Sequence, residues 1–276
     1  MRNRVTAFVI CFSCVALAAS AATVDGIRIH STTRGSGART LILVHGWTCD
    51  ETSWAENVPE LSKRYRVITL DLPGHGKTGS PKDAITMDLF ARAVEAVRAE
   101  AKADKVVLVG HSMGTPVIRQ YARLYPQHVA GLVAVDGVLA LGTSARQGGP
   151  PPPQADRMRG PDGLKNREAM IRGMFTPATP QPVQQHVLKM MLGAPESTAY
   201  GAMVATFDPA IWKDDTTTLP VLGIYADKSA LADPQYSKKI FPAFEYTSIP
   251  GTGHFLMIEK PQEFNKLIIG FVEKIK

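Results

Sequence analysis

Short continuous apolar runs alternate with segments of helical apolar spacing through most of this 276-residue chain. Residues 40–44 form a short continuous apolar run, the pattern of a strand buried on both faces, and 65–72, 105–109, 129–135, 220–226 and 244–249 are read as further strands. Between them, 86–103 carries Leu89, Phe90, Ala93, Val94 and Val97 at helical spacing behind Thr86 as N-cap. A helix through Tyr125 follows the 105–109 strand, 56–61 closes a short helix, and 261–275 places Phe264, Leu267, Ile268 and Phe271 on one helical face. Near the start, 24–33 alternates with Ile27 and Ile29 on one face before Arg34-Gly35-Ser36-Gly37, which predicts an early edge hairpin. Strand and helix alternating in this way predict an α/β fold, a doubly wound, mostly parallel sheet covered by helices on both faces. Right-handed crossovers then bring the C-terminal ends of the parallel strands to one edge.

The rhythm breaks after Leu139. Gly148-Gly149 followed by four prolines, 150–153, cannot continue a helix or a central strand. Helical patterns around 163–175, 182–192 and 197–207 follow, with no convincing strand. The expected organisation is a core of 22–139 and 219–276 with a helical cap inserted at 140–218.

Residues 1–21 read as a signal peptide. Arg2 and Arg4 precede a run, 5–18, that is apolar apart from Thr6 and Ser13, and Ala19-Ser20-Ala21 supplies a small-x-small cleavage pattern. The run is short for a membrane span, so the expectation is an exported protein, periplasmic or secreted, with no stable membrane association after cleavage; a retained anchor is the alternative. Cleavage removes Cys11 and Cys14 and leaves Cys49 alone, without an internal disulfide partner. The formal charge of +6 is spread along the chain with no Lys/Arg block, which argues against a nucleic-acid partner.

Candidate chemistry gathers at the strand ends. Gly110-His111-Ser112-Met113-Gly114, between a strand and a helix, has the form of a nucleophile elbow. A serine hydroxyl needs a base within reach, and His254, in Gly251-Thr252-Gly253-His254 after the last strand, is the candidate. The backbone N–H groups of Met113 and of Trp47, in the His45-Gly46-Trp47 turn, are candidates for an oxyanion hole.

Together with Asp71-Leu72-Pro73-Gly74-His75-Gly76, these motifs, in this order, resemble the α/β-hydrolase fold superfamily with a cap domain, over nearly all of 24–276. The resemblance implies ester-type acyl transfer, since dehalogenases and epoxide hydrolases of that superfamily carry aspartate at the elbow. It also implies an acid in a Gly-Asp/Glu-x-Asp turn after the 220–226 strand, where this chain reads Ala226-Asp227-Lys228-Ser229. Serine at 229 cannot hold an imidazolium by charge. Asp136, at the end of the strand after the elbow helix, is favoured as the acid, because a carboxylate closing a buried strand needs a partner; Asp227 and Asp233 are the alternatives. Asp71 and His75 read as structural residues of their turn.

The expected cap carries Met158, Met170, Met174, Met190, Met191 and Met203 with Phe175, Phe207 and Trp212. Most are expected in the packing of small helices and some in the roof of a pocket for a small or medium apolar group. There is no metal-ligand spacing and no Rossmann or P-loop fingerprint, so no cofactor and no metal are implied. The expectation is a serine hydrolase acting on a small-molecule ester. Lactone opening, C–C hydrolysis or prolyl aminopeptidase action on the same scaffold differ in the cap, and a weakly catalytic ligand-binding receptor is the rival from another class.

Overall fold

A computed structural model of the chain describes residues 22–141, 153–227 and 229–275. The expected signal peptide and nearly all of the proline-rich connector lie outside them.

A small hairpin, β1 (Thr23–Val24) and β2 (Ile27–Arg28), stands apart from the main sheet. The main sheet has seven strands: β3 (Ser31–Arg34), β4 (Thr40–Val44), β5 (Arg66–Leu70), β6 (Val106–His111), β7 (Val129–Val135), β8 (Val221–Ala226) and β9 (Phe244–Ile249), in the order β3-β5-β4-β6-β7-β8-β9. All neighbours pair in parallel except β3, which runs antiparallel to β5 at the edge. The single early hairpin expected over 24–33 is thus two features. Alternation marks a half-buried strand without saying which partner it pairs with, and the Asp25-Gly26 turn, both residues at positive φ, closes the hairpin four residues ahead of β3.

The strand order reverses at β4. The chain crosses from β4 through α1 (Val58–Leu61) to β5 on one side, then returns through α2 (Met87–Glu100) to β6 on the other. Right-handed crossovers in opposite directions place α1 and α2 on opposite faces. From β6 the chain continues outward through α3 (Gly114–Leu124) to β7, so α3 joins α2, against which it packs. The closing helix α10 (Pro261–Lys274) meets α1; Asn57, just before α1, donates from Nδ2 to the Met257 carbonyl and to Asn265 Oδ1, both at 3.0 Å. Cover on both faces is why every residue of β4 and of β6 is buried.

The local signals of the helices are as the sequence implies. Thr86 Oγ1 accepts the Leu89 N–H at 3.1 Å to start α2, and α10 begins at Pro261 and buries Phe264, Ile268, Phe271 and Val272, each worth roughly 1.5–3 kcal/mol when fully buried.

Between β7 and β8 lie four helices, α4 (Pro153–Asp156), α5 (Gly163–Arg172), α6 (Gln181–Leu192) and α7 (Glu196–Thr206), and among the described residues of this stretch there is no strand. Two short helices were not evident in the sequence: α8 (Pro234–Ile240), started by Asp233, whose Oδ1 accepts the Tyr236 N–H at 2.9 Å, and α9 (Leu256–Glu259), directly after His254. Among the described residues no helix is long and apolar enough to cross a membrane.

Candidate active site

Ser112 stands at the end of β6, next to β4, where the strand order reverses and open α/β sheets form a crevice. Its φ is +52°, a left-handed conformation that strains any side chain but glycine. Neighbouring backbone enforces it. The Ser112 N–H donates to the Val135 carbonyl at 2.8 Å. A Cβ on Gly110 would lie 2.3 Å from the Gly114 carbonyl oxygen, and one on Gly114 would lie 2.4 Å from that of Val44. Both flanking glycines are therefore required by the close approach of strand and helix, as the motif implies.

His254 is brought to the same place by the turn after β9. Its Nδ1–H donates to Asp136 Oδ2 at 2.6 Å, which leaves Nε2 as the free acceptor of the ring. Asp136 also sits at positive φ, +38°, at the end of β7. Its other oxygen, Oδ1, accepts the Ala226 N–H at 3.0 Å. Burial pushes the Asp136 carboxyl up, but the His254, Ala226 and Ser229 donors together hold it below the usual carboxylate range, so it stays charged. Of the three carboxylates offered by the sequence, Asp136 is the one at His254. Asp227 is exposed at the rim, and Asp233 caps α8. Gly137, next in the chain, is required too, since a Cβ there would lie 2.4 Å from the Ser112 carbonyl oxygen; Tyr225 donates from its hydroxyl to the Gly137 carbonyl at 3.2 Å.

The backbone N–H groups of Trp47 and Met113 have no protein acceptor among the described residues, and both residues line the cavity that contains Ser112. Gly46 brings the Trp47 turn close: a Cβ on it would lie 3.1 Å from both Ser112 Cβ and His111 Nδ1. His45 fixes this turn, donating from Nδ1 to the Gly46 carbonyl at 2.8 Å and accepting the Leu72 N–H on Nε2 at 3.0 Å. His111 is fully buried and donates from Nε2 to the His254 carbonyl at 2.9 Å. Burial and the neighbouring His254 lower its pKa to about 3, so it remains a neutral donor.

Ser112, His254 and Asp136 open into a cavity of about 540 Å³. Its apolar wall comes from Met170, Met174, Phe175, Met203, Phe207 and Trp212, whereas Met158 and Met191 pack in the core and Met190 lies elsewhere. A larger depression, about 1010 Å³, lies between the β1–β2 hairpin and α2, but Ser112, His254 and Asp136 are not among its lining residues. The smaller cavity is the site because it has the chemistry.

A family model for the alpha/beta hydrolase fold matches residues 39–261. The chain belongs to this family. Among curated relatives of this alpha/beta hydrolase, the dihydrolipoyllysine-residue acetyltransferase component of the acetoin cleaving system of Pseudomonas putida is 29% identical over 250 residues, 87% of this chain and 65% of that one. The pimeloyl-[acyl-carrier protein] methyl ester esterase of Edwardsiella ictaluri is 37% identical over 103 residues, 37% of this chain and 38% of that one. The matched stretch is thus less than two thirds of either relative. Among solved structures, a thermophilic esterase from Thermogutta terrifontis superposes with a TM-score of 0.80 at 25% identity, covering 92% of this chain and 97% of that one.

In this alpha/beta hydrolase the turn after β8 retains a link to the site. Ser229, where an acid is expected from the family pattern, interacts through its hydroxyl with Asp136, while its Oγ accepts the Leu231 N–H at 3.2 Å. Tyr225 lies in no motif, and the motifs that contain His111 and Ser229 do not reveal their supporting contacts, because each of the three acts through a contact distant in sequence.

Ligand-type atoms of His30, Glu51 and Asp71 also come within 4.8 Å of one another. They already have protein partners. Asp71 accepts the Glu51 and Lys77 N–H groups at 2.7 and 2.8 Å, and Glu51 takes His30, Thr69 and Lys77 at 2.7, 2.9 and 3.2 Å. The cluster ties the turn after β5 to the edge of the sheet, with the Lys77 ammonium as its cation.

Proposed function

We propose that the chain is an exported serine hydrolase that cleaves carboxylic esters carrying a small or medium apolar group. The observation that carries this reading is the 2.6 Å His254–Asp136 hydrogen bond beside a strained, cavity-facing Ser112. Ser112 Oγ attacks the ester carbonyl while His254 Nε2 takes its proton. The tetrahedral oxyanion is received by the N–H groups of Trp47 and Met113, the latter at the N-terminus of α3. Collapse expels the alcohol, which leaves with the proton held by His254, and Ser112 remains acylated. Water, deprotonated by His254, attacks the acyl group; the acid departs and the proton returns to Ser112. Asp136 keeps the tautomer and stabilises the imidazolium throughout. The apolar Met, Phe and Trp wall supports an apolar substrate, and the basic and apolar segments within residues 1–21 support export.

The receptor alternative draws its support from the serine at 229, where the family pattern has an acid; the Asp136 carboxylate 2.6 Å from His254 Nδ1 supports the hydrolase reading over it. The test is a fluorophosphonate probe on the folded protein, with Ser112→Ala as control. Rapid labelling that Ser112→Ala abolishes is expected; a folded wild-type protein that does not label would overturn the reading.

A further inference from the structure

The helices α4 to α7 leave the sheet after β7 and rejoin it before β8, and one helix, α3, holds both crossings. Arg119 in α3 is only 3% exposed. Its Nη1 donates to the Leu139 carbonyl of the outgoing segment at 2.7 Å. Its Nη2 donates to the Lys213 carbonyl and, at 3.1 Å, to Asp215 Oδ1 of the returning segment. The guanidinium lies 5.2 Å over the Phe241 ring. Arg123, one turn further on, grips the same returning segment: Nε and Nη2 donate to Asp215 at 2.7 and 2.6 Å, and Nη1 donates to the Ile211 carbonyl at 2.5 Å.

A planar fork of donors suits this task, because one guanidinium can bind two carbonyls from separate segments and a carboxylate at once. A buried guanidinium with so many partners is also expensive to displace. The residues it holds are next to the cavity wall. Val138 and Leu141 flank Leu139, Trp212 lies between Ile211 and Lys213, and all three line the cavity of Ser112. The nucleophile helix and one wall of the pocket are therefore a single assembly.

We propose that Arg119, with Arg123 and Asp215, is a specificity clamp: it fixes the Trp212 side of the cavity relative to Ser112 and so sets the largest apolar group the site admits. This rests on the ester-hydrolase reading. The helices above the site have other ties, independent of the clamp. The His254 N–H donates to the Met174 carbonyl at 3.2 Å, Trp47 Nε1 to the Ala199 carbonyl at 2.7 Å, and Thr198 Oγ1 to the Gly74 carbonyl at 2.9 Å. Loosening the clamp therefore alters the width of one wall and leaves the remaining anchors in place.

The test compares Asp215→Ala, whose carboxylate is partly exposed, with Arg119→Met, the more disruptive change. p-Nitrophenyl acetate, butanoate and octanoate are the substrates, and amide hydrogen exchange is followed over 211–215. In Asp215→Ala, kcat/KM for acetate falls by less than about threefold. The octanoate-to-acetate ratio shifts by about tenfold, the scale on which the fit of a methylene group is felt, and exchange over 211–215 rises. Arg119→Met, where it folds, shows a larger shift of the same kind. An unchanged ratio in Asp215→Ala overturns the proposal even if exchange rises, since the clamp would then be structural only. A wild-type chain that turns over none of the esters overturns the ester reading instead; the clamp is then judged by exchange over 211–215, where no change overturns it.

Discussion

Asp136 Oδ2 accepts the His254 Nδ1 proton at 2.6 Å, and the two residues are 118 positions apart at the ends of different strands. Replacing that carboxylate by an amide removes both the charge that stabilises imidazolium and the constraint on the tautomer. Asp136→Asn is expected to lower kcat by about 10⁴-fold, as for an amide in place of a triad aspartate. Asp227→Asn, at an exposed position on the rim, is expected to cost less than about threefold. Steady-state kinetics on one turned-over ester decides between them, and the reverse order of losses would reassign the acid.

Ser229 contacts Asp136 from the turn where the family pattern expects an acid. Ser229→Ala removes one of the donors that keep Asp136 charged, so a loss of about two- to tenfold in kcat with little change in KM is expected. The sharper experiment moves the acid. In an Asp136→Asn background, Ser229→Asp should recover at least tenfold of the lost activity, because the new carboxylate arises next to the old one. Added to the wild-type chain, Ser229→Asp places two carboxylates together, raises the pKa of one and lowers activity. Failure of the double variant to exceed Asp136→Asn would show that position 229 cannot reach His254.

Three buried histidines govern acid stability. Burial, followed by the charge of a neighbouring histidine, lowers the pKa of His75 and of His111 to about 3, and burial lowers that of His45. For His75 and His111 the unfolded chain takes up the proton near pH 6.5 and the folded chain does so only near pH 3, and His45 shifts in the same direction. Stability is therefore complete above about pH 6.5 and falls as the pH drops toward 3, by about 1 kcal/mol per pH unit for each histidine. Urea midpoints at pH 7.5 and 4.5 should differ accordingly, and His75→Phe should flatten the slope. Equal midpoints would refute this account.

Two glycines near Ser112 should respond differently to alanine. A Cβ at Gly114 meets the Val44 backbone oxygen at 2.4 Å, which cannot yield without moving β4, so Gly114→Ala is expected to lose soluble, folded protein. A Cβ at Gly46 is less crowded: it meets side-chain atoms of Ser112 and His111 at 3.1 Å and the His111 carbonyl oxygen at 3.3 Å. Gly46→Ala should fold, shift the nucleophile by a few tenths of an ångström and reduce kcat by about 10²-fold. Circular dichroism alongside kinetics separates the two effects.

What was legible in the chain follows the range of the interactions. The strands β4, β7 and β9, the helix α2 and the elbow around Ser112 are written in local apolar spacing, capping and glycine placement. The choice among Asp136, Asp227 and Asp233 is not, because it depends on how the ends of β7, β8 and β9 line up across more than a hundred residues. The helix α8 escaped because Gln235-Tyr236-Ser237-Lys238-Lys239 shows no apolar stripe, and α9 because it is only four residues long. The duties of Arg119 and Ser229 are invisible locally: each looks like an ordinary polar residue until the segments it joins are in place.

The left-handed φ of Ser112, +52°, sets durability against turnover at one residue. Glycine adopts that conformation freely, so Ser112→Gly should gain about 1 kcal/mol of stability while abolishing the nucleophile. A redesign that scored only the folded state would select glycine at position 112, and its product would withstand more heat than the natural chain and hydrolyse nothing.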